Sequence, residues 1–270
     1  MKQPLLHIFR NTPFGRETLL QSAYACRTMR LELNIFIPEA KKFLFYFDED
    51  IVQVDLDKSY LHDAPTARQH VEELLNNGDT SLQYCFIEPK SYTGAGLPDL
   101  PIEFSMMTCP RSMSDITTRI GLGHIGPKVR RLLQIAAFPV LIPSGAFKPW
   151  QSITVLYGGS SSAADALRLA VEIHQRSNLP LHIISMGERD KLEQALTAQG
   201  LMQQVSNHDW QVYQGNTLKH HLYHIDHDSL VVLGAYGHGA IKALMGSSME
   251  LIQSQLPNSL LVVGPHFCFR

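Results

Sequence analysis

Short apolar and β-branched runs alternate with helical patterns along the second half of the chain. The runs at 153–157, 181–185, 210–213, 230–233 and 260–263 are predicted strands, being four or five residues long. The segments 163–175, 188–198 and 247–255 are predicted helices, and Asn216 caps another whose inner face is Leu218, Leu222 and Ile225. Continuous apolar strands separated by helices predict a parallel sheet that is covered on both faces.

The first half repeats this outline. Its predicted strands are 5–9, 31–37, 82–87, 102–107 and 139–142, and its predicted helices are 16–27, 65–75 and 127–135. Its last strand matches that of the second half, and Gly126 and Gly246 stand at equal distances before Pro139 and Ser259. A repeat of this size indicates duplication of a whole domain. We therefore expect two tandem doubly wound α/β domains, 1–145 and 151–270, each with a parallel five-stranded sheet, joined stiffly by a short linker at 144–150. The final strands of the two domains should lie side by side.

One segment of the first half has no counterpart in the second. The runs 43–47 and 51–55 alternate in polarity around an acidic turn, which predicts an inserted β-hairpin. This hairpin at 43–55 is either a flap over the edge of its own sheet or an arm that contacts a partner or ligand.

Composition narrows the class of protein. The 23 Lys and Arg residues against 25 Asp and Glu give a net charge of -2, so no extended nucleic-acid groove is expected. A hydrophobic fraction of 44% argues against disorder. Four widely spaced cysteines suit a reducing compartment, and neither a signal peptide nor a membrane span is recognisable. The sequence thus predicts a soluble cytoplasmic protein without membrane contact.

A glycine-rich stretch after the fourth strand of the second half carries the candidate chemistry. Gly234 ends that strand, so it lies at the carboxyl edge of the sheet, where doubly wound folds bind ligands. Gly237 permits close backbone approach, and Gly246 opens a predicted helix with the hydroxyls of Ser247 and Ser248. Together they predict an anion cradle suited to a phosphate chain. The alternative is that these glycines form only a turn and a helix start.

Other nucleotide motifs do not fit. No GxxxxGK[ST] occurs, which argues against a P-loop NTPase. The GxGxxG at 121–126 does not directly follow a strand, so a dinucleotide-binding enzyme is not supported.

At these residues the chain resembles the universal stress protein family, whose nucleotide binders carry G-x2-G-x9-G-[ST] after the fourth strand. Gly234, Gly237, Gly246 and Ser247 match most of that motif, and the whole chain looks like a tandem member. The resemblance implies a sheet order of 3-2-1-4-5 in each domain and pairing of the two last strands. It also implies a stress-response regulatory function with ATP or a related nucleotide in the second domain, accompanied at most by Mg²⁺.

The nucleotide contacts implied by the resemblance and the glycine loop are Gly158, Met186, Leu233, Gly234, Gly237, His238, Gly246, Ser247 and Ser248. Met186 and Leu233 would lie beside the base, with the glycines and serines around the phosphates. Two departures weaken the match. Gly158 stands where the family's binders have an aspartate, and eight residues rather than nine separate Gly237 from Gly246. In the first domain the equivalent strands end at Arg10 and Cys109, so its site is degenerate.

Other candidates have simpler interpretations. His220, His224 and His227 would share a helix face, which is either a solvated face or a metal site, and we expect no resident metal. Cys109 is expected to be a buried, reduced thiol. The serines at 160–162 suit an N-cap.

The alternatives for function stay open at this stage. No nucleophile–base–acid set is identifiable, which favours a non-enzymatic function and leaves slow ATP hydrolysis as the weakest alternative. The other alternative is an interaction protein with vestigial sites. The expected partners are a nucleotide and unidentified proteins, and a homodimer of the intramolecular pseudo-dimer is left open.

Overall fold

The computed structural model describes most of both halves of the chain. The described residues are 4–38, 42–46, 51–55, 64–76, 82–89, 91–92, 98–100, 104–110, 126–214, 221–235 and 256–269.

Most of the described strands and helices lie where the hydrophobic pattern predicts them, and the predicted helix 247–255 lies outside the described residues. The strands are β1 (Pro4–Ile8), β2 (Glu32–Phe36), β3 (Lys42–Tyr46), β4 (Ile51–Asp55), β5 (Tyr84–Phe86), β6 (Ser91–Tyr92), β7 (Pro98–Asp99), β8 (Met106–Thr108), β9 (Val140–Ile142), β10 (Ser152–Tyr157), β11 (Leu181–Met186), β12 (Asp209–Tyr213), β13 (Ser229–Gly234) and β14 (Leu260–Val263). The helices are α1 (Pro13–Met29), α2 (Ala64–Asn76), α3 (Pro127–Ile135), α4 (Ser161–Ser177), α5 (Arg189–Ala198) and α6 (Met202–Ser206).

A ten-stranded sheet runs through both halves in the order β12-β11-β10-β13-β14-β9-β8-β1-β2-β5. Within each group of five the strands are parallel and follow the order 3-2-1-4-5. The groups meet where β14 pairs antiparallel with β9, with Leu261 opposite Leu141. These findings confirm the predicted fold class and the pairing of the last strands. The limits 1–145 and 151–270 stay a prediction, since hydrogen bonds continue across the seam.

The repeat is visible in the first helix of each half. Both α1 and α4 are 17 residues long. Thr12 and Ser160 cap their N-termini by accepting hydrogen bonds from the backbone N–H groups of Gly15 and Ala163. Both helices end at a residue in the left-handed conformation. Equivalent capping at equivalent positions is what duplication of one structural unit produces.

Apolar side chains pack on both faces of the large sheet. On one face Leu230 and Val232 of β13 belong to a core that also includes residues of α1 and α4. On the other face Val231 and Leu233 belong to a core with Leu132 of α3. Strands that are buried on both faces explain why their sequences read as continuous apolar runs.

The inserted hairpin forms as predicted. Strands β3 and β4 pair antiparallel, with Lys42 opposite Asp55. Together with β6 and β7 they make a separate four-stranded sheet. The predicted acidic turn at 48–50 lies outside the described residues. Whether this hairpin serves as a flap or as a partner-contacting arm stays a prediction.

The segment that joins the halves is held by hydrogen bonds to α1. The side-chain amide of Gln21 donates to the carbonyl of Ser144 and accepts from its backbone N–H, at 2.9 and 3.0 Å. The hydroxyl of Tyr24 accepts from the backbone N–H of Trp150 and donates to its carbonyl. Glu17 accepts from the backbone N–H of Phe147 at 2.9 Å. These contacts agree with the expectation of a stiff linker.

One predicted helix ends earlier than expected. Within the described residues the segment predicted from Asn216 to Ile225 is helical only at 221–222, and a turn follows. The backbone N–H groups of His224 and Ile225 bond three residues back, to His221 and Leu222. His224 and His227 therefore lie after the end of the helix, so helical spacing does not describe their positions.

Candidate functional site

Several predicted site residues meet at the carboxyl edge of the second half. Gly158 directly follows β10, Met186 ends β11, and Leu233 and Gly234 end β13. The parallel registers of these neighbouring strands bring their ends to one edge. The other predicted contacts, Gly237, His238, Gly246, Ser247 and Ser248, lie outside the described residues. Four of the nine predicted residues can therefore be located, and they share one edge.

The close packing of α4 on β13 requires a glycine at position 234. A Cβ atom built on it would lie 2.4 Å from the backbone nitrogen of Ala163 and 2.6 Å from the carbonyl oxygen of Ser162. The first turn of α4 thus rests directly on the backbone of β13. A glycine predicted as part of a ligand cradle is needed for this helix–strand contact whether or not a ligand binds.

The loop between β10 and α4 is shaped by glycine and serine. Gly159 has φ +83°, a left-handed conformation that glycine adopts without strain. Ser160 then caps α4, accepting from the backbone N–H of Ala163 at 3.2 Å. Its hydroxyl also lies 3.3 Å from that of Ser162. The N-cap predicted from the serines at 160–162 is thus confirmed at Ser160.

A polar network that the sequence pattern did not reveal anchors this loop. The hydroxyl of Tyr157 donates to Oε1 of Gln199 at 2.7 Å, and Nε2 of Gln199 donates to the carbonyl of Gly159 at 3.0 Å. Arg168 donates to the carbonyl of Gln199 and pairs with Asp165. Burial raises the pKa of Tyr157 to about 12, while Arg168 acts in the opposite direction. The phenol therefore stays a neutral donor that holds Gln199 in place.

Two histidine rings stack beside Tyr213 at the same edge of the sheet, at the end of β12, which is the neighbour of β11. The rings of Tyr213 and His221 are stacked with centroids 4.0 Å apart, and His224 lies 6.0 Å from Tyr213. Met186 and Tyr213 are register partners. His224 and His227 are exposed, whereas His220 lies outside the described residues. No group of three or more metal-ligating side chains occurs among the residues that the structure describes.

The corresponding edge of the first half is built differently. Strand β8 is followed by Cys109 and Pro110, and β1 by Phe9 and Arg10. Cys109 is buried, and its thiol donates to the carbonyl of Pro110 at 3.3 Å. Burial raises the pKa of Cys109, which the charge of Arg10 only partly offsets. This agrees with the expected buried, reduced thiol.

Thiol reactivity should divide the four cysteines into two pairs. Cys85 and Cys268 are exposed, whereas Cys26 and Cys109 are buried and burial raises both of their pKa values. At pH 8 we expect the exposed pair to react with a small disulfide reagent and the buried pair to react only in denaturant. Mass spectrometry of the modified protein identifies the sites. Fast labelling of Cys109 in the native protein would contradict this assignment.

Comparison with known proteins finds a curated sequence relative over part of the chain. No protein-family model matches the chain. The universal stress protein Slr1230 of Synechocystis sp. is 25% identical over 136 residues, which is 48% of this chain and 47% of that protein. The chain therefore matches about half the length of this curated relative.

Solved structures share the fold along nearly the whole chain. A putative universal stress protein from Pseudomonas aeruginosa has a TM-score of 0.62 at 13% identity, covering 98% of this chain and 94% of that one. A universal stress protein from Archaeoglobus fulgidus has a TM-score of 0.58 at 14% identity, covering 97% and 96%. The cytoplasmic domain of a prokaryotic cation chloride cotransporter has a TM-score of 0.52 at 12% identity, covering 97% and 95%. These likenesses establish the fold. In the described part of the chain, no helix combines the length and apolarity needed to cross a membrane.

Proposed function

We propose that this chain, whose sequence match and fold support the universal stress protein family in its tandem form, is a stress-response regulatory protein. In this proposal it binds ATP or a related nucleotide in its second half. Its output would be a change of conformation or of protein partner that follows ligand binding. The proposed function is non-enzymatic, since no nucleophile–base pair is recognisable in the sequence.

The observation that carries the proposal is the shared carboxyl edge of β10, β11 and β13. Gly158 and Met186 are only half-buried there, so both can meet a ligand. Doubly wound sheets bind ligands in the crevice at this edge. The glycine stretch that continues from Gly234 would supply backbone N–H groups to phosphates, with Gly237, His238, Gly246, Ser247 and Ser248 as the proposed contacts.

Gly158 sets the expected affinity. A carboxylate at this position would accept a hydrogen bond from the ribose or base, a charge-assisted interaction worth ~1.5–3 kcal/mol. Its absence predicts roughly 10- to 100-fold weaker ATP binding than a protein with aspartate there would have. Gly158→Asp should therefore tighten binding.

Calorimetric titration with ATP tests the site. Gly246→Val should abolish binding, because a branched side chain would block backbone approach to the phosphates. The matched variant Gly126→Val, at the N-cap of α3 in the first half, should bind ATP like the parent. Thermal unfolding of each variant, run in parallel, checks that the fold is retained. If folded Gly246→Val binds as tightly as the parent, or if folded Gly126→Val loses binding, the site assignment is wrong.

A second candidate function is an interaction protein without nucleotide. It is favoured because Leu233, the predicted contact to the base, is only 2% exposed. The packing of α4 against Gly234 likewise needs no ligand. Denaturing the purified protein and identifying released small molecules by mass spectrometry separates the two candidates. Protein that carries no nucleotide and takes up none in calorimetry would favour the second.

A further inference from the structure

His7 is a buried histidine at the centre of the first half. It lies in β1, between β2 and β8, and is 2% exposed. Its Nδ1 atom is 2.8 Å from the hydroxyl of Ser22 on α1. The same hydroxyl lies 3.0 Å from the carbonyl of Thr18 and 2.9 Å from the hydroxyl of Thr108 on β8. His7 therefore belongs to a polar cluster that ties α1 to the sheet.

The other ring nitrogen of His7 has no hydrogen-bond partner among the described residues. Nε2 is buried and unpaired. A neutral imidazole can satisfy Ser22 through Nδ1 and leave one nitrogen unpaired at moderate cost. An imidazolium would carry N–H donors at both nitrogens and a charge, with no acceptor for the second donor.

Among the described residues, no negative charge offsets protonation of His7. The groups that bond to this cluster from α1 and β8 are uncharged, and Ile35 of β2 is the register partner of His7. One turn beyond Ser22 on α1 lies Cys26, a buried thiol that stays neutral because burial raises its pKa. The titratable side chains Glu17 and Tyr24 of α1 bond to the backbone of the linker instead. Desolvation by burial lowers the pKa of His7 to about 3, with no charged side chain of the described residues contributing.

Helix α1 also connects the two halves. Gln21 bonds to Ser144 at the start of the linker, and its Oε1 also accepts from the hydroxyl of Ser259, the residue before β14. Arg176 of α4 donates to the carbonyl of Met29 at the end of α1. Loosening α1 from the sheet would therefore release contacts to the linker and to the second half.

We propose that His7 makes the docking of α1 sensitive to acid, so that protonation of its imidazole opens α1 together with the linker. At neutral pH the neutral ring holds the His7–Ser22–Thr108 cluster. In acid the imidazole of His7 is protonated in the open state, whereas burial disfavours its protonation in the closed state. The joint between the halves loosens as a result.

The sign and the pH window follow from linkage. The pKa of His7 is lowered in the closed state relative to the ordinary value of 6.5. Between pH 6.5 and about 3 the open state therefore binds more protons, so closing becomes less favourable as the pH falls. Each pH unit below 6.5 raises the opening constant about tenfold, or roughly 30-fold between pH 7.5 and pH 5.

Hydrogen exchange on the full chain tests the proposal. After correction for the intrinsic pH dependence of amide exchange, peptides from α1 and from 144–150 should open roughly 30-fold more at pH 5 than at pH 7.5. In His7→Asn, which keeps a polar side chain but cannot titrate, that ratio should fall to about one. His70→Asn removes a half-buried imidazole that contacts Asn11 and should keep the parent's ratio.

Two results would overturn the proposal. One is a parent protein in which opening of α1 does not change with pH. The other is an equal change in the parent and in His7→Asn. Should His7→Asn fail to fold, the ring resonances of His7 in the parent decide the matter instead. They should stay those of a neutral imidazole in the native state at pH 5, and a titration midpoint near 6.5 would refute the proposal.

Discussion

Gly234→Ala is expected to destabilise the second half by roughly 3 kcal/mol or more, because there is no space for even one added carbon. A Cβ atom at this position would lie 2.4 Å from backbone atoms of Ser162 and Ala163. Backbone cannot rotate away as the end of a flexible side chain can. Either β13 or the first turn of α4 must move, and both are buried elements of the core. Urea-induced unfolding followed by circular dichroism measures the change.

Gly145→Ala is the matched control. A Cβ atom on Gly145, in the linker, meets nothing within 4 Å. Its free energy of unfolding should stay within about 0.5 kcal/mol of the parent's. Equal stability of the two variants would show that the contact between α4 and β13 is not as close as described. The result also bears on the proposed nucleotide site, since lost ATP binding in Gly234→Ala would report on packing as well as on ligand contact.

Trp150→Ala should cost about 3–5 kcal/mol, the range for deleting a buried aromatic side chain. Trp150 is 4% exposed although it lies in the linker. Its ring packs edge-to-face on Tyr24 of α1, with centroids 5.1 Å apart. The side chain therefore fills part of the core where the two halves meet, and its loss leaves a cavity. Chemical unfolding of the purified variant provides the measurement.

Phe147→Ala gives the comparison within the same linker. Phe147 also packs edge-to-face on Tyr24, at 5.9 Å, but it is 36% exposed. Its truncation should cost about 1 kcal/mol or less, because water already reaches the ring. If the two variants lose stability equally, burial of Trp150 is not what holds the linker to α1.

Local pattern was enough to predict the architecture, because the relevant information is repeated along the chain. Buried parallel strands must be apolar on both faces, so runs such as 230–233 stand out against the helices around them. Duplication doubled that signal and predicted that β9 and β14 would meet. The serines at 160–162 likewise predicted the N-cap of α4, since capping involves residues only three positions apart.

Contacts between distant residues could not be predicted in this way. Gln199 bonds to Tyr157 from 42 positions away, and only the folding of α5 back onto the β10–α4 loop brings them together. No spacing rule links such residues, because their separation depends on the lengths of the intervening elements. The predicted face of His220, His224 and His227 depended on a helix that continues to Ile225, whereas the described residues turn after Leu222.

The sequence by itself determined the two-part α/β architecture and the inserted hairpin, whereas the ligand-binding edge of the sheet stays a prediction. Hydrophobic period, turn residues and duplication are local or repeated properties, and they can be recognised without knowledge of the tertiary contacts. Only the tertiary structure decided that Gly234 is needed by α4 and that His7 is buried with one nitrogen unpaired. Both depend on which surfaces meet when helices dock on the sheet, and a single residue's identity does not specify its neighbours across the fold.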